Sequence, residues 1–467
     1  MLFPTIEFWI FFAIVFVAFW ALVGRPHFWK ALLLVASYVF YAWWDARFVL
    51  LLAAATLINL AGSRVVARAE RRRAKTALIV TIAADLALLA WFKYYGFVAV
   101  NADGALASLG LVPPLPLVQV TLPVGISFFT FMGISYVVDV YRRVVAPAGA
   151  LDFAVYLSFF PHLVAGPIVR GAELLPQLAQ RAREHEVDFP RAATLIVGGL
   201  FKKVVLSTFL ATAIVDPVFA MPGGHFGAQA LVAIYAYAVQ IWADFSGYTD
   251  IAIGVALLLG FRFPDNFDAP YAATSLRDFW RRWHMTLSRW LRDYVYIPLG
   301  GSRSSELLTA RNLLLTMLLG GLWHGAAWTF IAWGALHGVG QIAERALRAR
   351  VAVPSSPLTR WAGRIVTFHV VCLGWVLFRS DSLASAVELL GGIFRWGASA
   401  DLLTPPVAVT VSLALLYQLA PRSLARSVTG LFARLAPIPQ GAVTGAALAG
   451  ITYLGPTGVP PFIYYRF

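Results

Sequence analysis

Apolar segments of the length found in membrane helices recur along the whole chain, and they constrain its fold more than any other feature. Hydrophobic residues make up 60% of the 467 positions, and charged residues only 13%. Soluble globular chains are about half apolar and a quarter charged, so this chain has too little polar surface to cover several water-exposed domains. The sequence therefore predicts an all-α polytopic membrane protein. The candidate segments are Thr5–Leu22, Ala31–Trp44, Val49–Gly62, Thr76–Tyr94, Leu122–Val138, Val155–Val169, Ala193–Val218, Ala228–Leu259, Leu313–Trp323, Thr329–Ile342, Ile365–Phe378, Val407–Leu419 and Gly441–Tyr453.

Several of these segments, such as Leu313–Trp323, are too short to cross a membrane as one helix. A full helical span needs about 20 residues, and non-helical backbone at membrane depth is tolerated only where protein buries it or a watery cavity faces it. Glycine and proline break several of the short segments. We therefore expect about 11 true spans, with half-helices or re-entrant helices around a cavity, in a single integral-membrane domain over residues 1–467.

The chain carries a large excess of positive charge. Lys and Arg number 37 against 23 Asp and Glu, which gives a formal net charge of +14. In a membrane protein such an excess indicates cytoplasmic loops, anionic lipid headgroups or an anionic substrate rather than nucleic acid. Membrane topology alone accounts for the main basic clusters, which are Arg64–Lys75, Arg142–Arg143, Lys202–Lys203 and Arg345–Arg350.

The stretch Phe261–Asn312 differs from the rest of the chain because it contains no long apolar run. Within it, aromatic and apolar residues at helical spacing predict one amphipathic helix over about 275–297 that lies at the membrane interface. The pairs Asp278–Arg282 and Arg289–Asp293 have the i,i+4 spacing of helical ion pairs. The apolar stripe consists of Phe279, Trp283, Leu287, Trp290 and Tyr294.

This basic helix has two interpretations. Its rings and arginines suit an interfacial anchor, with Trp and Tyr at headgroup depth and Arg on lipid phosphates. They equally suit a binding surface for a large anionic cofactor, because guanidinium groups fork onto phosphates. His284 lies inside the block and favours the second interpretation, because a titratable imidazole adds nothing to anchoring.

His324 lies in the middle of another apolar stretch, Leu318–Gly338. An ionisable side chain at membrane depth is costly, so it indicates a functional site. Nearby glycines would leave room beside the imidazole for a ligand. The alternative is a structural histidine that is hydrogen-bonded between helices, and this alternative is favoured for His337. The residues that flank His324 are Gly320, Gly321, Trp323, Gly325 and Trp328.

Polar side chains also interrupt other apolar segments. His162 lies in a broken segment, and Asp244, Ser246 and Tyr248 lie within Ala228–Leu259. We expect these groups to line a cavity rather than face lipid, and hydrogen bonds between helices are the alternative. No histidine pair has metal-ligand spacing and the chain has one cysteine, so we expect no metal site and no disulfide within the chain.

The sequence motifs, taken in order, resemble those of the membrane-bound O-acyltransferase family, and within it the bacterial alginate O-acetyltransferase branch. The number and length of the matches make the resemblance highly specific for that branch. The C-terminal PPFIYYRF from Pro460 also resembles the ending of short relatives. The motifs are Tyr38–Trp44, Leu122–Phe131, Phe159–Pro167, Asp244–Gly254, Gly260–Phe267, Asp278–Gly301, Arg311–Gly338 and Gly374–Ser380.

The resemblance implies both a fold and an active site. The fold would be a ring of transmembrane helices around a thinned centre that a funnel or tunnel crosses. His324 would be the catalytic histidine of the family, and His284 the second histidine of the bacterial branch. His324 would then act as the base toward an incoming hydroxyl, while His284 would orient the thioester or polarise its carbonyl. Trp323 and Trp328 would shape the pocket.

The resemblance also implies the substrates and partners. The acyl donor would be cytoplasmic acetyl-CoA, with no tightly bound cofactor. The acceptor would be a polysaccharide across the bacterial inner membrane, reached through a periplasmic or membrane-anchored acetyltransferase partner. Acetyl-CoA carries about four negative charges, which a basic cytoplasmic mouth would attract. The candidates for binding this donor are Arg281, Arg282, Arg289, Trp290 and Arg292.

The sequence thus indicates an inner-membrane O-acetyltransferase for an exported or cell-envelope polysaccharide such as an alginate-like exopolysaccharide. Acetylation of peptidoglycan by the same chemistry is one alternative, and the short C-terminal end favours it. A transporter or flippase of a polysaccharide pathway is the alternative of another class. Secondary transporters often contain internal repeats, and none is visible in this sequence.

Overall fold

The regular structure of the protein is helical. A computed structural model describes residues 1–111, 116, 118, 120–180, 187–303, 305–351, 356–395 and 400–455, and these residues contain no strand. The predicted all-α class is therefore confirmed. The C-terminal motif from Pro460 lies outside the described residues.

In the part of the chain that the structure describes, five helical stretches are long and apolar enough to cross a membrane. A sixth span would be the pair Pro405–Leu419 and Ser423–Ala433, which is bent by 91°. Within the described residues these stretches support a multi-pass membrane protein, but they are fewer than the predicted total of about 11. Three further apolar helices are shorter: Ile6–Leu22, Ile126–Tyr141 and Leu383–Gly392. The five long stretches are Arg47–Arg68, Arg71–Ser108, Phe189–Ala220, Gly227–Leu258 and Pro357–Arg379.

The chain divides into two compact units, of which the first comprises Met1–Asp188 and Val255–Pro264. One helix of this unit begins directly after Gly125, whose φ of 78° is left-handed, a conformation that glycine adopts at little cost. A side chain there would also lie 2.7 Å from the carbonyl oxygen of Leu163. The helices that lie wholly in this unit are Ile6–Leu22, Pro26–Ala42, Arg47–Arg68, Arg71–Leu89, Ala90–Tyr94 (a π turn), Tyr95–Ser108, Ile126–Tyr141, Ala150–Ser158, Phe160–Leu163 and Gly171–Ala179.

The second unit comprises Phe189–Gly254 and Asp265–Phe467. Its first helical stretch, residues 189–220, contains two π-helical parts. A third lies in residues 275–297, which are called the basic segment. Single π turns within helices often mark functional sites. The helices are Phe189–Leu200, Phe201–Ser207 (π), Thr208–Leu210, Ala211–Val215 (π), Asp216–Ala220, Pro222–Gly224 (3₁₀), Gly227–Leu258, Pro270–Ala272 (3₁₀), Leu276–Trp280, Met285–Leu291, Arg292–Tyr296 (π), Glu306–His324, Trp328–Arg350, Pro357–Arg379, Leu383–Gly392, Pro405–Leu419, Arg422–Ala433 and Pro437–Leu454.

Glycines bring the helices of the second unit into close contact. A side chain at Gly321 would lie 2.2 Å from the carbonyl oxygen of Phe330, and one at Gly334 would lie 2.5 Å from that of Met317. Helices Glu306–His324 and Trp328–Arg350 therefore pack backbone to backbone, as small residues allow in membrane proteins. This contact places the C-terminal end of the first helix, where His324 lies, beside the second helix.

The expectation of one continuous helix in the basic stretch is wrong. The predicted single helix over 275–297 is divided, because Leu276–Trp280 ends before residues 281–284 and a second helix begins at Met285. By contrast, the apolar segment predicted over Ala228–Leu259 is one helix, Gly227–Leu258, which runs unbroken through its polar residues. The physical reason for the break and for the continuity lies in hydrogen bonds and ion pairs to other segments.

Candidate active site

His324 is the last residue of the helix Glu306–His324 and is almost fully buried. The next residue, Gly325, is extended and leaves space that the ring of Phe330 occupies, since a side chain there would lie 2.1 Å from that ring. The imidazole of His324 packs edge-on against the rings of Trp333 and Phe378, with centroid distances of 5.0 and 5.1 Å. A helix end thus presents the predicted catalytic imidazole to a buried aromatic environment.

Trp323 contacts both of the predicted catalytic histidines. Its ring centroid lies 4.9 Å from that of His324 and 5.9 Å from that of His284. The two imidazoles are 40 positions apart in the sequence, so the tertiary structure brings them to one aromatic ring. The predicted pairing of His284 and His324 in one site is consistent with this geometry, while their chemical roles stay predictions.

His284 lies at the break between the two helices of the basic segment. It is fully buried, and its backbone is left-handed, with φ of 41° and ψ of 55°. Residues other than glycine adopt this conformation uncommonly, although histidine does so more often than most, and left-handed backbone at such residues clusters at active sites. On one side the ring meets Phe245 edge-on at 4.7 Å, and on another it faces Trp323.

The imidazole of His284 has one side-chain hydrogen-bond partner among the described residues. Its Nδ1 lies 3.2 Å from Oδ1 of Asn266, while Nε2 is buried without a hydrogen-bond partner among those residues. Burial lowers the pKa of His284 to about 3, because the imidazolium would lose its hydration. The ring is therefore neutral at physiological pH, so one of its nitrogens can accept a hydrogen bond.

Asn266 was missed by sequence reasoning, although it lies in the motif Gly260–Phe267. Besides facing His284, its Oδ1 accepts hydrogen bonds from the backbone N–H and the hydroxyl of Thr286, at 3.1 and 2.9 Å. Its backbone oxygen accepts from the N–H of Met285 at 2.9 Å. The first two N–H groups of the helix Met285–Leu291 are thus satisfied by Asn266, which explains why the predicted helix is interrupted here.

The aromatic stripe of the basic segment faces the protein interior. Phe279, Trp283, Leu287 and Trp290 are buried, and the ring of Trp283 lies 4.7 Å from that of Trp375. The anchor interpretation placed these rings among lipid headgroups, and their burial within the protein argues against it.

The predicted donor-binding arginines occupy different environments. Arg281 is exposed and Arg289 half-buried. The predicted pair Asp278–Arg282 is confirmed, with 2.8 Å between Nε and Oδ1. Arg292 is exposed and bonds to Asp293 at 2.6 Å.

Asp244 and Ser246, which were expected to line a cavity, are buried and bind lysine side chains. Asp244 forms an ion pair with Lys203 and accepts a hydrogen bond from the Ser207 hydroxyl at 3.1 Å. Ser246 accepts a hydrogen bond from Lys202 at 3.0 Å. These pairs explain why helix Gly227–Leu258 stays regular, because its polar side chains are satisfied by the neighbouring helical stretch.

This arrangement also corrects the interpretation of Lys202–Lys203 as a topology determinant between spans. Both lysines lie inside the helical stretch Phe189–Ala220, where Lys203 is 2% exposed. Lys202 additionally forms an ion pair with Asp250.

The other residues that were expected to line the cavity or pocket differ in solvent exposure. Tyr248 is fully buried, whereas Trp328 is 55% exposed. Trp333, which sequence reasoning did not single out, occupies the buried position beside His324, and its ring also lies 4.9 Å from that of His337. Helical spacing from His337 could have indicated it, since the two residues are four positions apart.

His162 belongs to the first unit. It is fully buried, with Nε2 3.0 Å from the carbonyl oxygen of Tyr156 and its ring stacked on Phe263 at 5.2 Å. In both units, the described residues contain no group of three or more His, Cys, Asp or Glu side chains arranged to hold a metal ion.

Comparison with known proteins decides the family. A sequence model described as "MBOAT, membrane-bound O-acyltransferase family" matches residues 36–386, which is more than half of the chain and includes both histidines. The chain belongs to the membrane-bound O-acyltransferase family. It is therefore an acyltransferase, and with its apolar helices it is a multi-pass membrane protein.

Relatives within the O-acyltransferase family are similar over most of the chain. "Probable alginate O-acetylase AlgI" of Pseudomonas aeruginosa is 44% identical over 401 residues, covering 85% of this chain and 75% of the relative. The protein of the same name from Azotobacter vinelandii is 45% identical over 370 residues, covering 78% and 72%. "Peptidoglycan O-acetyltransferase" of Helicobacter pylori is 35% identical over 401 residues, covering 80% and 75%.

Proposed function

We propose that this acyltransferase moves an acetyl group from cytoplasmic acetyl-CoA across the bacterial inner membrane for the O-acetylation of an exported polysaccharide of the alginate type. The observation that carries the proposal is the contact of His284 and His324 with one buried ring, that of Trp323. The similarity to alginate O-acetylases supports the acetyl group and the polysaccharide acceptor.

The chemistry requires a base and a defined path for one proton. In the proposed reaction the acceptor oxygen forms a bond to the thioester carbonyl carbon, and the bond from that carbon to sulfur breaks. His324 takes the hydroxyl proton as the nucleophile attacks and returns it to the departing CoA sulfur. The buried aromatic surroundings of His324 exclude water, which disfavours hydrolysis of the thioester.

The proposed path of the donor begins at the basic segment. Arg281 is exposed and free of ion pairs among the described residues, and Arg289 is half-buried. Guanidinium groups at these positions would bind the CoA phosphates, with Arg282, Arg292 and Trp290 on the same short segment. We further propose the family arrangement of about 11 spans in a ring around a funnel, where half-helices end near the two histidines.

Peptidoglycan is the second candidate acceptor. It is favoured by the relative named peptidoglycan O-acetyltransferase. Both acceptors present sugar hydroxyls, so the same base serves either of them. In either case the acceptor lies beyond the membrane, and we propose that a periplasmic or membrane-anchored partner protein completes the transfer.

A complementation experiment tests the proposal. A native strain that lacks the gene would receive wild type, His324→Ala or His369→Gln, and ester-linked acetate would be measured by mass spectrometry in exported polysaccharide and in muropeptides. We expect His324→Ala to insert and accumulate but to lose acetylation by about 10²-fold or more. His369 is exposed, so its variant should match wild type.

The outcomes separate the candidates. Acetate lost from the exopolysaccharide supports the proposed acceptor, and acetate lost from muropeptides supports peptidoglycan instead. Full acetylation in the His324→Ala strain would contradict the catalytic assignment. Purified protein that neither binds acetyl-CoA in calorimetry nor releases CoA would favour a transport function.

A further inference from the structure

We propose that Asn266 is a positioning residue that holds His284 as the Nδ1–H tautomer, so that Nε2 of His284 accepts a hydrogen bond from the substrates. The inference deepens the proposed acetyl transfer and rests on it. It also changes the expected role of His284, because a neutral ring whose single N–H is held by Asn266 cannot polarise a carbonyl by donating to it.

The orientation of the Asn266 side-chain amide follows from its contact with the backbone N–H of Thr286, which can only donate a hydrogen bond. The backbone N–H of Thr286 points at one terminal atom of the amide from 3.1 Å. A backbone N–H only donates, so that terminal atom must be the oxygen rather than the nitrogen. The Thr286 hydroxyl bonds to the same oxygen at 2.9 Å.

The tautomer of His284 follows from the amide orientation. Nδ1 lies 3.2 Å from this same oxygen, and a bond between them requires the proton to be on Nδ1. In a neutral imidazole Nε2 then carries a lone pair. Nε2 has no hydrogen-bond partner among the described residues, so its lone pair is available to a ligand.

The backbone around His284 keeps this arrangement in place. The backbone oxygen of Asn266 accepts from Met285, and the N–H of Asp268 donates to the carbonyl oxygen of Arg282, both at 2.9 Å. These two hydrogen bonds join the segment 266–268 to Arg282 and Met285, which lie before and after His284 in the sequence. They also support the left-handed backbone of His284, which would otherwise relax.

The groups around His284 are uncharged. The ring is contacted by Phe245 from the helix Gly227–Leu258, by Trp323 from the helix Glu306–His324, and by Asn266. The titratable groups closest in sequence to these contacts are two on the segment of Asn266, namely Asp265, which is paired with Arg191, and Asp268. On the other elements they are Asp244, which is paired with Lys203, Arg282, which is paired with Asp278, and the imidazole of His324. Asn266 is thus the polar side chain that sets the state of the ring.

The proposal is tested by direct observation of the tautomer. In full-length protein labelled with ¹⁵N-histidine, NMR shifts distinguish protonated from unprotonated ring nitrogens, and His284→Gln assigns the signals. We expect a protonated Nδ1 and an unprotonated Nε2 in wild type, and a mixture of tautomers in Asn266→Ala. A protonated Nε2 in wild type would overturn the inference, whether or not the protein transfers acetyl groups.

Activity measurements test the consequence for transfer. Asn266→Asp places a carboxylate on Nδ1, which stabilises the imidazolium and raises the pKa of His284. Acetyl transfer should then fall as the pH decreases through a new acidic limb, at least one pH unit above any limb of wild type, and it should recover at high pH. Asn266→Ala should lose about tenfold or more at all pH values.

A second buried asparagine provides the matched control. Asn312 is also fully buried in this unit, where its amide donates to the carbonyl oxygen of Gly301 at 3.0 Å. Asn312→Ala should alter stability but move neither the tautomer nor the pH profile. An unchanged pH profile in Asn266→Asp would contradict the positioning role.

Kinetic measurements can distinguish which of the two substrates donates the hydrogen bond to Nε2 of His284. If acetyl-CoA supplies the donor group, His284→Ala raises KM for acetyl-CoA in both hydrolysis and transfer. If the acceptor hydroxyl supplies it, His284→Ala impairs transfer while thioester hydrolysis continues. Equal KM and unimpaired transfer in His284→Ala would show that Nε2 bonds to neither.

Discussion

His162 and His284 are both fully buried, each in one of the two compact units, but different atoms hold them. His162 faces a backbone oxygen six positions earlier in its own segment, through Nε2. His284 faces a side chain from another segment, through Nδ1, and its backbone is left-handed. The two rings are therefore held as opposite tautomers, because each bond fixes the proton on a different nitrogen.

We infer from this difference which features of a buried histidine indicate a functional site. Each ring leaves its other nitrogen without a hydrogen-bond partner among the described residues, so an unsatisfied atom alone does not distinguish them. His162 is stacked on Phe263 within an aromatic cluster, whereas His284 shares Trp323 with a second imidazole. Strained backbone together with a neighbouring imidazole indicates the site.

The largest expected difference between the two histidines is in acetyl transfer. His284→Ala removes the acceptor Nε2 and should lower the rate by about 10²-fold or more. His162→Gln keeps a donor for the Tyr156 oxygen, so transfer per folded molecule should stay near wild type. Initial rates of CoA release with acceptor, normalised to folded protein, measure both. An equal loss in both variants would remove the distinction drawn here.

Variants of the rings that contact the two histidines, Trp323 beside His284 and Phe263 beside His162, should lose similar stability but differ in activity. Trp323→Ala and Phe263→Ala each remove a large buried ring, and such changes cost about 3–5 kcal/mol in the free energy of unfolding. Transfer should be lost in the Trp323 variant, because this ring orders both imidazoles, and retained in folded molecules of the Phe263 variant. Thermal unfolding and rates measured on the same preparations check this. Retained transfer in Trp323→Ala would show that the shared ring is not needed.

The smallest expected effect is on the pH dependence of stability. The pKa of His284 is about 3 in the folded protein and about 6.5 in an unfolded chain. Between these values the unfolded state binds more protons, so stability should fall as the pH decreases from about 6.5, by at most about 1.4 kcal/mol per pH unit. His284→Gln should flatten this part of the curve. Identical pH slopes in unfolding experiments would contradict a buried neutral His284.

The membrane class and most of the helix positions could be predicted from the sequence alone. Hydropathy and its periodicity are local properties, and they predicted the membrane class, the positions of most helices and the functional weight of His324 and His284. The pair Asp278–Arg282 was predictable for the same reason, because i,i+4 spacing places two side chains on one helical face.

The tertiary structure decided the parts that depend on partners distant in sequence. Asn266 lies 18 positions before His284, and Lys203 lies 41 positions before Asp244. Sequence periodicity does not reveal such pairs. A buried polar group needs a hydrogen-bond partner, and the packing of the helices decides which residue is close enough to be that partner. The sequence by itself therefore determined which residues we propose for the chemistry, whereas packing determined the break at His284, the hydrogen-bond partner of its ring and the aromatic surface that it shares with His324.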